Sequence, residues 1–464
     1  MYLGIFTNIN DLAAKNYFFL NDFLFAPIFI FISYTIVSNI AEKNYKGTVH
    51  YKYLMTAYKV KIVCTILFSL VYAFYYRGGD TFIYLYNVVQ LRDLLATNTE
   101  AWYYVLFHSN SFEAAYHMSD YMINGGSYLT DSSTKVVIFF AFFVGFLCFN
   151  SYVFLSLVCS MIALIGCWKL YRVFAELYPT LHKEMAISCL FLPSVCFWSA
   201  GLLKDPICVG ALGIFTYSIY DLLIKKRAPL KNLFLIGLMI YVIVSIKVYI
   251  ILSYAPAVFM WIFSRYRYTI QSPFIKAIIG PVMMVLGVGV GVLVLTQMAR
   301  FAERYAFEEL MRTAKDTQNW LVYSSQLSGS TSFYTLGDIE YSMMGLLKVA
   351  PKAINVSLFR PYIWEAKKPM LFIASIEGMI TFFMTVRLIF KSGFINFIKM
   401  IADNPEVQFC IIFSVIFAFA VGFTSFNFGA LARYKIPFMP FYYIALFILS
   451  DTQKKQAPQL VKSN

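Results

Sequence analysis

This sequence has little charge. Asp, Glu, Lys and Arg make up 13% of its 464 residues, while hydrophobic residues make up 60%. Apolar stretches of about 18 residues or more recur from end to end, so a string of water-soluble domains is excluded and repeated membrane crossing is expected. Histidine is scarce too: His50, His108, His117 and His182 are scattered, with no metal-ligand spacing. The eight cysteines (Cys64, Cys148, Cys159, Cys167, Cys189, Cys196, Cys208, Cys410) form no CxxC pair and all fall in apolar runs. They read as small buried hydrophobes, so no His/Cys metal site, redox motif or cofactor is expected. The start lacks a basic segment ahead of its first apolar run, and Asp11 and Asp22 flank or enter that run. No cleavable signal peptide is therefore expected.

The charge that is present is lopsided, at +14. In a soluble protein that balance would suggest nucleic acid. Here the Lys and Arg residues cluster in short connections between apolar runs, as in cytoplasmic loops facing anionic lipid, so membrane lipid is the expected partner and nucleic acid is excluded. A requirement of about 20 residues per crossing places spans near 17–39, 58–76, 136–173, 184–201, 206–223, 232–246, 248–264, 276–297, 369–390, 407–424 and 436–450. The third is too long for one crossing and reads as a projecting helix or a broken pair. The sequence thus predicts an all-α polytopic integral membrane protein of roughly 11 transmembrane helices, a single membrane domain over 1–464. If 136–173 counts as an odd number of crossings, the basic loops fall on one side, with the N-terminus external and the C-terminus cytoplasmic. Two long loops, 77–135 and 298–368, then face outward. Both carry aromatic and apolar residues and are expected to be structured. Within the second, 341–359 suits a helix lying on the membrane surface.

The few charges near the spans sit in short motifs that this topology brings to the outer face. In YYRGGDTFIYLY (75–86), Gly78 and Gly79 permit a sharp turn where a helix leaves the membrane. Arg77 there could hold a phosphate and Asp80 could accept a proton; a helix C-cap with an interfacial Arg–Asp pair explains them as well. In FLPSVCFWSAGLLKDPI (191–207), Pro193 interrupts a span, Trp198 falls near the outer interface, and Lys204 and Asp205 occupy a tight turn ahead of Pro206. Asp205 is either a ligand-facing residue or an N-cap. Lys247 sits in the next outer turn. In LFRPYIWEAKKPMLFIASIEGMI (358–380), Arg360 precedes a proline and so sits in extended chain. Trp364 offers a flat face for a sugar ring or belongs to the interfacial aromatic belt. Glu377 lies inside a span, where an acid must be paired, protonated or solvated, making it a base candidate or a helix–helix hydrogen-bonding group. In FNFGALARYKIPFMPF (426–441), Pro437 and Pro440 distort the entry to the last span, and Arg433 and Lys435 face outward. Arg433 suits a bidentate phosphate contact or an interfacial anchor.

At these residues the chain resembles polysaccharide polymerases of the Wzy or EpsG type and, more broadly, bacterial membrane glycosyltransferases of the GT-C class. The patches GGDTFIYLY, LPSVCFWSAGLLKD, LFRPYIWEA with IASIEG, and FGALARYKIPFMPF carry the resemblance between residues 75 and 441. It implies a multi-pass enzyme of the bacterial inner membrane that uses polyprenyl-linked saccharides on the outer side, in company with other polysaccharide-assembly proteins, and grips phosphate with external arginines. Two departures stand out. Asp80 has no Asp-Glu partner early in the first outer loop, and the arginine-rich loop signatures of some Wzy proteins are not clear.

On this reading Arg77, Lys204, Arg360 and Arg433 bind the leaving phosphate or diphosphate, and Asp80 or Glu377 deprotonates the acceptor. Trp198, Trp364 and Asp205 are the candidate sugar contacts. The rival reading is a transporter or flippase of lipid-linked saccharides. It would carry cationic cavity residues without a base, near-symmetric halves and a midplane site.

Overall fold

The computed structural model describes residues 9–108, 111–119, 131–267 and 343–461, with residues 7 and 129 and short pieces between 315 and 339. Seven helices among the described residues are long and apolar enough to cross a membrane: Leu20–Tyr45, Val49–Tyr76, Tyr152–Leu177, Lys204–Ile224, Pro229–Arg267, Pro369–Ser392 and Pro405–Thr424. The chain is an all-α, multi-pass membrane protein, as expected of a sequence whose spanning backbone must satisfy its own hydrogen bonds in hydrocarbon.

The elements depart from the expected spans in informative ways. The 136–173 stretch is a broken pair, Ser132–Gly145 and Tyr152–Leu177, separated by a turn in which Phe149 and Asn150 take left-handed conformations. The 232–246 and 248–264 spans keep their expected break: within Pro229–Arg267 two helices meet at a kink at Lys247, whose φ of −146° and ψ of 80° are non-helical. The 184–201 span is also interrupted. A π-helical turn, Ile187–Phe191, gives way at extended Leu192 to a short helix, Pro193–Trp198. The final span begins later than expected. A short helix, Phe428–Tyr434, precedes a turn over 435–438, and Met439–Val461 follows. The expected span at 276–297 and most of the second long loop lie outside the described residues.

The chain divides into two compact units, Met1–Arg172 with Cys196–Lys247 and Val173–Val195 with Val248–Asn464. In the first, Asp22 fixes the start of the Leu20–Tyr45 helix. Its carboxylate accepts the Phe19 backbone N–H at 3.0 Å, the Ser151 hydroxyl at 2.7 Å and the Val153 N–H at 3.0 Å. Tyr58 bonds Ser33 at 2.8 Å and so holds the first two long helices together. The described part of the first long loop is largely helical, with Asp80–Thr97, Thr99–Phe107 and Phe112–Ser119. Tyr152–Leu177 and Lys204–Ile219 meet backbone to backbone: a Cβ on Gly213 would stand 2.0 Å from the Gly166 carbonyl oxygen.

The second unit is organised on an aromatic core. Trp261 stacks on Phe409 at 4.7 Å, and Tyr254 meets Phe409, Phe413 and Phe441 edge-on. Met343–Phe359, expected to lie flat on the membrane, instead runs antiparallel along Pro405–Thr424. The Ser357 hydroxyl donates to the Ala418 carbonyl at 2.6 Å, and a Cβ on Gly422 would come within 2.1 Å of the Ala353 carbonyl. Contacts that step four residues one way on one helix and four the other way on its neighbour require side-by-side axes. Small residues at the contact let the two backbones approach this closely.

Candidate functional site

In the second unit the two interrupted segments meet at Glu377. This residue stands eight positions past Pro369 (377 − 369), about 12 Å along its helix, and is buried. Pro193 restarts the chain as a helix, and the new N-terminus turns toward the acid. The Ser194 backbone N–H donates to Glu377 Oε2 at 2.9 Å and the Ser194 hydroxyl to Oε1 at 2.6 Å. A carboxylate held by backbone and hydroxyl donors at a helix N-terminus is a charge-assisted arrangement. From the other interruption comes Lys435, in the turn between Phe428–Tyr434 and Met439–Val461. Expected to face outward, it is instead 0% exposed, its Nζ has no hydrogen-bond acceptor among the described residues, and Glu377 acts on it electrostatically. Burying an ammonium without an acceptor costs several kcal/mol, so this is the most costly group at the site. Beside Glu377 lies a cavity of about 250 Å³, walled by Ile187, Phe191, Leu192, Pro193, Ile373, Ile376, Ile380 and Tyr443. Glu377 is the one charged residue in that wall, and the Tyr443 hydroxyl is bonded to Thr381 at 2.8 Å.

Arg360 follows Phe359, whose carbonyl oxygen would lie 2.6 Å from a Cβ on Gly378. Its Nε donates to Glu365 Oε2 at 2.9 Å, a second guanidinium N–H bonds Glu365 Oε1, and the group lies 5.2 Å from the Phe428 ring centroid, with Tyr362 and Tyr334 also close. Arg360 is thus held by an acid and an aromatic collar. Trp364 is 75% exposed, with one face stacked on Tyr362 at 4.9 Å. Arg433 ends the Phe428–Tyr434 helix, with its guanidinium over the Tyr434 ring.

In the first unit, Arg77 takes the left-handed C-cap position of the π-helical turn Val71–Tyr76, exposed, and its carbonyl accepts the Tyr17 hydroxyl. Gly78 and Gly79 at φ of 150° and 104° complete the turn, and Asp80 opens the next helix. Lys204 has a partner that the sequence did not suggest. Its ammonium bonds Asp131 at 3.0 Å and Ser133 at 2.7 Å. Burial alone would raise the Asp131 carboxyl, but hydrogen bonds from Ser133 and Thr134 and the Lys204 ammonium hold it well below 3.8. Asp205 is not the N-cap; Leu203 takes that position, and Asp205 forms a buried ion pair with Lys247 at 2.5 Å. That pair explains why Lys247 leaves helical geometry: its side chain must reach an acid on a neighbouring helix. Trp198 is buried with its ring edge against Phe197, so it shows no open face. Lys61, buried within its span, donates to the Ser199 hydroxyl and to the Cys196 carbonyl at 3.4 Å.

The sequence reading named Glu377 and missed Ser194, Asp131 and Lys61 as partners. A lysine inside span two was a legible signal for Lys61; nothing in the sequence pointed to Asp131 or Ser194. Among the described residues no group of three or more His, Cys, Asp or Glu comes together. No family model, curated protein or solved structure matches the chain.

Proposed function

We propose that the chain is a glycosyltransferase or polymerase of the bacterial inner membrane, moving sugar from a polyprenyl phosphate- or diphosphate-linked donor at the external face, in surface polysaccharide or glycoconjugate synthesis. The observation that carries this reading is Lys435, a fully buried ammonium without an acceptor among the described residues, at the break of a helix and close enough to Glu377 to feel its charge. A cation kept at that cost is explained by an anionic substrate group. In the transfer step the acceptor oxygen bonds the anomeric carbon as the bond from that carbon to the phosphate oxygen breaks. The acceptor proton passes to the Glu377 carboxylate, and the leaving phosphate keeps the electron pair beside Lys435. Asp80, in the first unit, is the other candidate base that the sequence offers. Lys204 and Arg360 are already neutralised by Asp131 and Glu365, which makes them weaker phosphate ligands than the sequence suggested.

The test is sugar transfer in membranes carrying Glu377→Gln or Asp80→Asn at matched protein levels. Removing the general base is expected to cost about a hundredfold or more. One observation favours the transporter reading: helices interrupted at Leu192 and over 435–438, with a charged residue, Lys435, in the second break, are a common way to build a carrier site. Full transfer activity in both variants, together with movement of lipid-linked saccharide across reconstituted vesicles, would replace the enzyme by the carrier.

A further inference from the structure

Beyond that site, the Phe394–Ala402 helix has three distinct faces at 3.6 residues per turn. Phe397 and Met400 are buried against the protein. Phe394 and Ile395 are 68% and 82% exposed, and Ile398 lies on the same side. Asn396 and Lys399 fall on the third face, in the open. A helix with one face on protein, one bare apolar face and one polar face belongs at the boundary between acyl chains and headgroups.

The charges around it have one predominant sign. Arg387 and Lys391 are exposed in the last turns of Pro369–Ser392, flanking Phe390, which is 83% exposed. Gln453 donates to the Ser392 hydroxyl at 2.7 Å, which brings exposed Lys454 to the same corner. The acids nearby are Asp403 and Asp451, and Asp451 is already paired with Lys455 at 2.6 Å. We infer that this corner is a binding site for an anionic phospholipid, whose acyl chains cover Phe390, Phe394, Ile395 and Ile398 while its phosphate meets Lys391 and Lys399. One amphiphile supplies both complements. A free phosphate would leave the apolar face bare, and a neutral lipid would leave the lysines without an anion.

The experiment uses the full chain in vesicles, with Ile398→Trp as reporter and the parent as background. Fluorescence from position 398 is expected to be quenched by brominated acyl chains, and more strongly by brominated phosphatidylglycerol than by brominated phosphatidylcholine. Each lysine is expected to enrich anionic lipid about fivefold. Lys391→Gln with Lys399→Gln should abolish the preference and leave neutral-lipid quenching intact. Equal quenching by both lipids, or none, would overturn the site. Should Ile398→Trp disturb folding, native mass spectrometry of the parent and the double Gln variant answers the same question. Retained phosphatidylglycerol is expected to fall in the variant; an unchanged count, or displacement by inorganic phosphate at fixed ionic strength, would refute a lipid site.

Discussion

Lys435 is the residue whose burial is hardest to explain by folding alone. Its ammonium is removed from water with no acceptor among the described residues, which destabilises the fold, and a group that does so is kept for a ligand. Lys435→Met preserves length and removes the charge. It is expected to raise stability by about 1 kcal/mol or more, seen as a higher Tm in detergent, while sugar transfer is lost. A variant that loses both would make Lys435 a structural partner of Glu377 instead. Asp131 shows the opposite economy. It caps the Ser132–Gly145 helix through the Thr134 N–H and pairs with Lys204. Its carboxyl lies lower in the folded state than its ordinary 3.8, so its contribution is complete above that value and is lost as pH falls through and below it. Asp131→Asn keeps an oxygen for the cap but removes the charge that meets Lys204, so it should lower Tm at neutral pH, and the gap from wild type should close in strong acid.

At the scale of elements, glycine decides which helices touch. Gly166, Gly210 and Gly213 let Tyr152–Leu177 and Lys204–Ile219 approach to backbone contact; a Cβ on Gly166 would stand 2.2 Å from the Gly210 carbonyl oxygen. Gly213→Ala is expected to cost about 1–3 kcal/mol, because backbone cannot move aside as a side chain can. Gly237 has nothing within 4 Å of its would-be Cβ. Gly237→Ala is the control and should be neutral or stabilising by up to about 1 kcal/mol. Thermal unfolding of the two variants separates a packing glycine from an incidental one.

For the whole molecule, Ser132–Gly145 is too short to cross, so the broken pair counts as one crossing through Tyr152–Leu177, and the Lys and Arg distribution then predicts that both long loops share the external side. Cysteines introduced one at a time within 100–107, where Tyr103 and Phe107 are exposed, should react with a membrane-impermeant thiol reagent in intact cells. Seven of the eight native cysteines are buried and Cys64 is half-buried, so background is low. Labelling only after permeabilisation would invert the orientation and put Asp80 on the other face.

Hydropathy alone determined that this chain is a bundle of membrane helices, because apolar length is a local property that needs no partner. The same local logic located the turn at Gly78 and Gly79, the interruption at Pro193 and the distorted entry at Pro437 and Pro440. Charge scarcity singled out Glu377, since an acid within a span is visible in one dimension. Tertiary structure decided what each charge meets. It set Lys204 on Asp131, 73 residues away, and Asp205 on Lys247, and it brought Ser194 to Glu377 across 183 residues. It also turned Met343–Phe359 from a surface helix into a packed one and took Lys435 from the outer turn into the interior. Pairing and burial depend on which helices lie side by side, and that choice rests on close contacts such as Ala353 against Gly422, for which a one-residue pattern carries no signal.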